Sequence, residues 1–183
     1  MKYKITEYTT RRGSKGLILN VADAPVVSMR FQFRAGYRYV KDYDRKSQVA
    51  HVLEHVASGS NGQYPNQMDF ESVFTKNGAY HNAMTGMIGL SYEASCADFE
   101  WERILGLMRD QVCHPAIEQR YFDSELGNVR SELTGNLSIA GRMLGPAVAQ
   151  NMGDDNKTYP QFIESLDHIQ LDDLIEHHQQ THT

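Results

Sequence analysis

Residues 51–55 run His51-Val52-Leu53-Glu54-His55, three polar groups set among apolar ones. The i, i+3, i+4 spacing puts both imidazoles and the carboxylate on one face of a helix. Two imidazoles one turn apart can point at the same ion, with Zn–N bonds of about 2.0–2.1 Å. Glu54, lying between them, does not easily ligate from the same turn and is better placed to hold a water at the ion. A surface helix with two solvated histidines is the plainer alternative. Against it, Ala50, Val52, Leu53 and Val56 surround the three groups, so the helix reads as buried. Buried imidazoles and a carboxylate need partners, and a metal satisfies all three together.

Working outward, the helix is predicted over residues 45–58, with Asp44 as N-cap and Gly59 as stop. Upstream, residues 3–9, 17–21 and 26–33 are strand candidates, alternating or rich in β-branched and aromatic residues. Downstream, Asn61-Gly62 and Tyr64-Pro65-Asn66 mark a loop, and residues 68–76 suit a short helix. Residues 79–85 and 88–95 suit a hairpin about Gly86. Helical patterning dominates from Asp98. Leu105, Met108 and Val112 form one apolar seam, and Phe122, Leu126, Val129 and Leu133 another on a helix over 118–137. Gly145-Pro146 reads as a local break, Tyr159-Pro160 as the start of a short helix, and Leu171 as the start of the last. Trp101 and Tyr159 read as core or turn residues. Strands, then a hairpin, then many helices predict an α+β domain, a mostly antiparallel sheet covered by several helices.

With 183 residues the chain suits one domain with a real core and no need of disulfide staples. The formal charge of −5 argues against a general nucleic-acid binder, since phosphate backbones favour basic surfaces. No apolar run approaches the roughly 20 residues that span a bilayer, and the N-terminus lacks a signal-peptide core. Cys96 and Cys113 fit no CxxC pattern, which makes a reducing, cytoplasmic setting the expectation. His177, His178 and His182 lie in a polar C-terminal segment and read as a solvated tail rather than a second metal site.

A zinc site needs at least a third protein ligand, and a catalytic one leaves a position for water. Glu125 and Glu132, seven apart on one amphipathic helix, share a face and are the candidates; the spacing alone does not choose between ligands and a solvated helix face.

H-x-x-E-H is the inverzincin signature, the reverse of H-E-x-x-H. The chain resembles the M16 (pitrilysin and insulinase) family of zinc peptidases, recognised by this motif and a Glu after a gap of 76 residues, which falls on Glu132. The family's second Glu, seven residues earlier, matches Glu125. Asn82-Ala83-Met84-Thr85 resembles the family's N-A-x-T on the edge strand that holds substrate, and Ala35-Gly36-Tyr37-Arg38 its A-G-S/T-R. The resemblance implies one zinc ion held by His51, His55 and Glu132. It implies Glu54 as general base, with Glu125 orienting a ligand or sharing in proton handling. It further implies that Asn82, Ala83 and Thr85 offer backbone groups to an extended peptide, and that the chain hydrolyses peptides.

Two departures stand out. The family's G-x-A-H before the motif is here Gln48-Val49-Ala50-His51, without the Gly, and residues 56–60 are smaller than the family's bulky run. Family members also pair two related halves around a chamber, and even one half continues with a further strand after the helix ending near Gln180. Residues 1–183 are therefore expected to be one peptidase domain without its last strand, either part of a longer two-half protein or a reduced form that needs a partner. Its completion would come from a second half or a partner subunit, a homodimer included. The alternative to an active peptidase is a zinc- and peptide-binding module that is inactive alone. A closed structural zinc site fits less well, since such sites usually have four ligands, often Cys.

Overall fold

The computed structural model describes residues 2–64, 66–154 and 156–183, so Pro65 of the expected loop lies outside the described residues. Strands β1 (Tyr3–Thr9) and β2 (Lys15–Val21) form an antiparallel hairpin in register Tyr3↔Val21 to Thr9↔Lys15. Strands β3 (Val26–Phe33), β4 (Tyr80–Thr85) and β5 (Leu90–Ala97) form a separate antiparallel sheet in the order β3-β5-β4. The α+β class holds, with two sheets in place of one. The hairpin carries apolar side chains on both faces, and Tyr3, Ile5, Leu17, Ile18 and Leu19 stay exposed. In the larger sheet β5 is central and buries every second residue, whereas β4 is an edge.

Helices α1 (Tyr43–Lys46) and α2 (Val49–Gly59) divide what the sequence reads as one helix. The chain bends at Gln48, whose φ and ψ of −88° and 5° are not helical and whose side chain turns inward to His51. Then follow α3 (Gln67–Thr75), α4 (Trp101–Cys113), α5 (Gln119–Asn136), α6 (Ala140–Asn151), α7 (Tyr159–Ser165) and α8 (Leu171–Thr181). Asn66 caps α3 by accepting from the amides of Met68 and Asp69.

α2 lies between two apolar clusters. Phe70, Phe74, Leu90, Tyr92, Ile104 and Met108 fill the space between sheet, α3 and α4. Val52, Leu53, Val56, Phe122, Val129 and Leu174 pack α2 against α5 and α8. Only Glu54, His55 and Ser58 of α2 escape full burial, so the expectation of a buried helix carrying polar groups holds.

Four local expectations are corrected. Pro146 lies inside α6 and does not break it. Proline forfeits the bond to the Arg142 carbonyl, but none of α6 is buried, so water can reach the freed oxygen. The buried seam of α4 runs through Ile104, Leu107, Met108 and Val112, with Leu105 only half-buried. Trp101 is 42% exposed at the start of α4 and not a core residue. The C-terminal histidines are docked, not solvated. His177 Nε2 lies 2.8 Å from the Ala35 carbonyl, His178 Nε2 2.8 Å from that of Val112, and His182 stacks on Phe33 and meets the Tyr92 hydroxyl.

Candidate active site

The site forms where α2 faces α5 beside the open edge of β4. Leu53 and Val56 on one helix and Val129 and Leu133 on the other fix the two helices by apolar packing. That leaves the polar flank of each turned toward the other. His51 and His55, one turn apart, present rings with centroids 4.9 Å apart at 74°. Glu125 and Glu132 come from α5, two turns apart.

Each imidazole is held from behind and free in front. His51 Nδ1 lies 2.8 Å from Gln48 Oε1, and His55 Nδ1 lies 3.2 Å from Glu125 Oε2. With these nitrogens donating, both Nε2 atoms are left as acceptors. They converge on Glu132 Oε2, at 3.4 Å from His51 and 3.5 Å from His55. A tetrahedron with metal bonds of about 2.0–2.1 Å has edges of roughly 3.3–3.4 Å, close to the two distances from the imidazoles to Glu132 Oε2. Together His51, His55 and Glu132 could hold a metal ion, their donor atoms all within 4.8 Å of one another.

The two glutamates differ in placement. The Glu125 side chain is 10% exposed and that of Glu132 48%. Glu132 opens to the cleft, while Glu125 sits behind His55, where the Asn128 amide also donates to its Oε2 at 3.0 Å. Burial works against charge on Glu125, but its hydrogen bonds from His55 and Asn128 outweigh that and hold its pKa below the usual range. In the zinc-free chain, a proton shared between His51 Nε2 and Glu132 Oε2 does the same for Glu132. For His55, burial disfavours the cation, yet Glu125, Glu54 and Glu132 raise its pKa overall. In place of that proton, a divalent cation would meet the same negative field.

Glu54 projects into the same cleft, and the Thr85 hydroxyl donates to its Oε2. The cleft has a volume of about 380 Å³; Ala83, Met84 and Thr85 of β4 line one side, and Tyr37, Tyr159 and Phe162 form an aromatic wall. Asn82 lies on the same strand, opposite Glu93 of β5, but does not line the cleft. Close by, Gly36 lets the backbone of residues 36–38 approach the β4–β5 turn, with Tyr37 N 3.1 Å from the Gly86 carbonyl.

The sequence reading missed Gln48, Asn128 and Arg142. Gln48 stands three residues before His51, and Asn128 three after Glu125, so helical spacing carried a signal for both. Arg142 reaches the cleft only through the tertiary path of α6.

A helix-borne pair of histidines, a carboxylate from a second helix and a further carboxylate beside an edge strand define a candidate hydrolase site of the metal-binding kind. The family follows from residues 17–148, which match the model of the insulinase family, peptidase family M16; the chain belongs to that family. The fold agrees. The chain is similar to pitrilysin, with a TM-score of 0.82 at 17% identity, over 100% of this chain and 20% of that one. It is also similar to a protease from Helicobacter pylori (TM-score 0.75, 16% identity, 97% of this chain and 43% of that one). A third structure, described as an M16 peptidase inactive domain from Pseudomonas fluorescens, gives 0.74 at 18% identity over 96% and 43%. The chain thus spans less than half the length of each. No curated protein sequence matches it.

Proposed function

We propose that this chain is the zinc-bearing domain of a metalloendopeptidase that cleaves peptides or short polypeptides. The observation that carries the reading is the convergence of His51 Nε2 and His55 Nε2 on Glu132 Oε2, at 3.4 and 3.5 Å, with Glu54 in the same cleft. Two nitrogens and one carboxylate suit zinc and leave a coordination position open. Zinc, when bound, supplies Lewis acidity, bringing the pKa of water toward about 7 and polarising a peptide carbonyl.

The chain's own residues do the rest. Gln48 and Glu125 fix the ring orientations of His51 and His55 through Nδ1. Glu54 takes the proton from the attacking water and delivers it to the leaving amine nitrogen. Thr85 holds one Glu54 oxygen and leaves the other for that task. The outer edge of β4 offers unpaired backbone groups, so Asn82, Ala83 and Thr85 can add an extended peptide as a further strand.

A second reading rests on the share of the related structures that this chain spans. A second half or partner subunit would then complete turnover, and these residues alone would bind zinc and peptide without cleaving. No helix among the described residues is long and apolar enough to cross a membrane. The protein's place in a reducing, cytoplasmic setting is part of the same proposal.

Elemental analysis beside a fluorogenic-peptide assay on one sample tests this. One zinc per chain with chelator-sensitive cleavage supports the peptidase; zinc without cleavage supports the incomplete module. No zinc after adding it back removes both.

A further inference from the structure

We propose that Arg142 is a specificity-determining residue of the cleft, binding a carboxylate of the peptide substrate. The carboxylate is that of an acidic side chain near the scissile bond or of the peptide's own C-terminus. This deepens the peptidase reading and rests on it.

Arg142 lies near the start of α6 and lines the cleft that Glu54, Glu132 and Thr85 also line. Apart from the two histidines, it is the one cationic side chain lining that cleft among the described residues. Its Nη1 donates to Asn136 Oδ1 at 2.5 Å. Asn136 is a buried, neutral group at the end of α5, so the guanidinium is anchored without being neutralised. A guanidinium has five N–H donors, and carboxylates match its fork in bidentate fashion.

Nothing in the cleft uses that charge. Glu54 is engaged by Thr85 and Glu132 by the two imidazoles. Arg142 has no ion pair among the described residues, as is also so of Arg11, Arg12, Arg34, Arg38 and Arg45, but of these it alone lines the cleft. The facing aromatic wall of Tyr37, Tyr159 and Phe162 supplies apolar contact but no charge discrimination. Arg142 is then the group that tells an acidic peptide from a basic one. The chain as a whole is acidic, with a formal charge of −5, so its overall field disfavours acidic peptides. Any preference for them has to come from a local cation.

The test measures binding, not turnover. The full chain carrying Glu54→Gln is loaded with zinc and titrated with fluorescein-labelled peptides. These carry Glu, Gln or Lys scanned along an otherwise neutral sequence, each with a free or an amidated C-terminus. At one position Glu should bind about tenfold tighter than Gln, and Lys weaker still. Arg142→Ala should level the series and Arg142→Glu should reverse it, with zinc content unchanged and cooperative unfolding retained. A preference that follows amidation and not the scanned side chain assigns the carboxylate to the C-terminus. An unchanged Glu-to-Lys ratio in Arg142→Ala overturns the role of Arg142 alone. Failure of the zinc-loaded parent to bind any peptide overturns the peptidase reading, and this inference with it.

Discussion

The Thr85 hydroxyl on β4 donates to Glu54 Oε2 on α2, so the edge strand of the sheet holds the carboxylate proposed as the base. Hydrogen bonds to charged groups contribute roughly 1.5–3 kcal/mol. Thr85→Val keeps the shape of the side chain and removes the donor. It should lower kcat by about tenfold and leave zinc content unchanged, because Thr85 touches no metal-facing atom. Glu54→Gln should keep zinc and abolish hydrolysis altogether. Cleavage unaltered in Glu54→Gln would remove Glu54 as the base.

Gln48 holds His51 and Glu125 holds His55, each through Nδ1. Partners behind a ligating imidazole typically change metal affinity by about 10–100-fold. Competition with a chromophoric chelator should therefore show Gln48→Ala and Glu125→Gln binding zinc more weakly by that order. His51→Ala or Glu132→Gln should lose most of it. Full occupancy in Glu132→Gln at stoichiometric zinc would take that residue off the ligand set.

The comparison between the two glutamates shows what sequence makes legible. Helical spacing brings Glu125 and Glu132 to one face, and the resemblance separates their roles. Only the packed structure shows the physical difference, one carboxylate behind His55 and the other open to the cleft. Strand β3 and helix α5 were legible because long periodic patterns reflect burial on one side. The bend at Gln48 was not, since Gln48 is not a glycine, a proline or a residue with a capping hydroxyl to mark a break, and its spacing from His51 reads as continuous helix. The docked histidines of the C-terminal helix were misread for a related reason. A polar stretch looks solvated until backbone carbonyls from Ala35 and Val112, far off in sequence, turn out to accept from it.

Gly36 marks a close backbone approach that no side chain can share. A Cβ placed there would meet the Gly86 carbonyl oxygen at 2.2 Å and the Ile88 carbonyl carbon at 2.6 Å. Both are backbone atoms of the β4–β5 turn and cannot swing away. Gly36→Ala should force residues 36–38 off the turn and break their hydrogen bonds to Gly86, Met87 and Ile88. Denaturant unfolding should show a loss of about 2 kcal/mol or more, in the range of other strained or overpacked sites. Gly62→Ala, with open space around its Cβ, is the control and should be nearly neutral.

Stability should also fall as the medium turns mildly acidic, because the buried histidines resist protonation. Burial, with the nearby His178 and His177, pushes the His182 pKa down to about 3, and burial lowers those of His177 and His81. In the unfolded chain each takes up a proton near pH 6.5. Below that pH the unfolded state binds more protons than the folded one, so stability drops as pH falls from about 6.5 toward 3. Each such group contributes a slope of about 1.4 kcal/mol per pH unit over its own window. His55 works the other way in the zinc-free chain, since its folded pKa is raised and protonation favours the fold. Three groups against one leave a net loss of stability between pH 7 and pH 5.5. Urea unfolding of the zinc-free chain at the two pH values measures it. His182→Phe, which retains a ring to stack on Phe33, should flatten the dependence. A wild-type midpoint that does not move would mean that these histidines are already protonated, or reach water, in the folded chain.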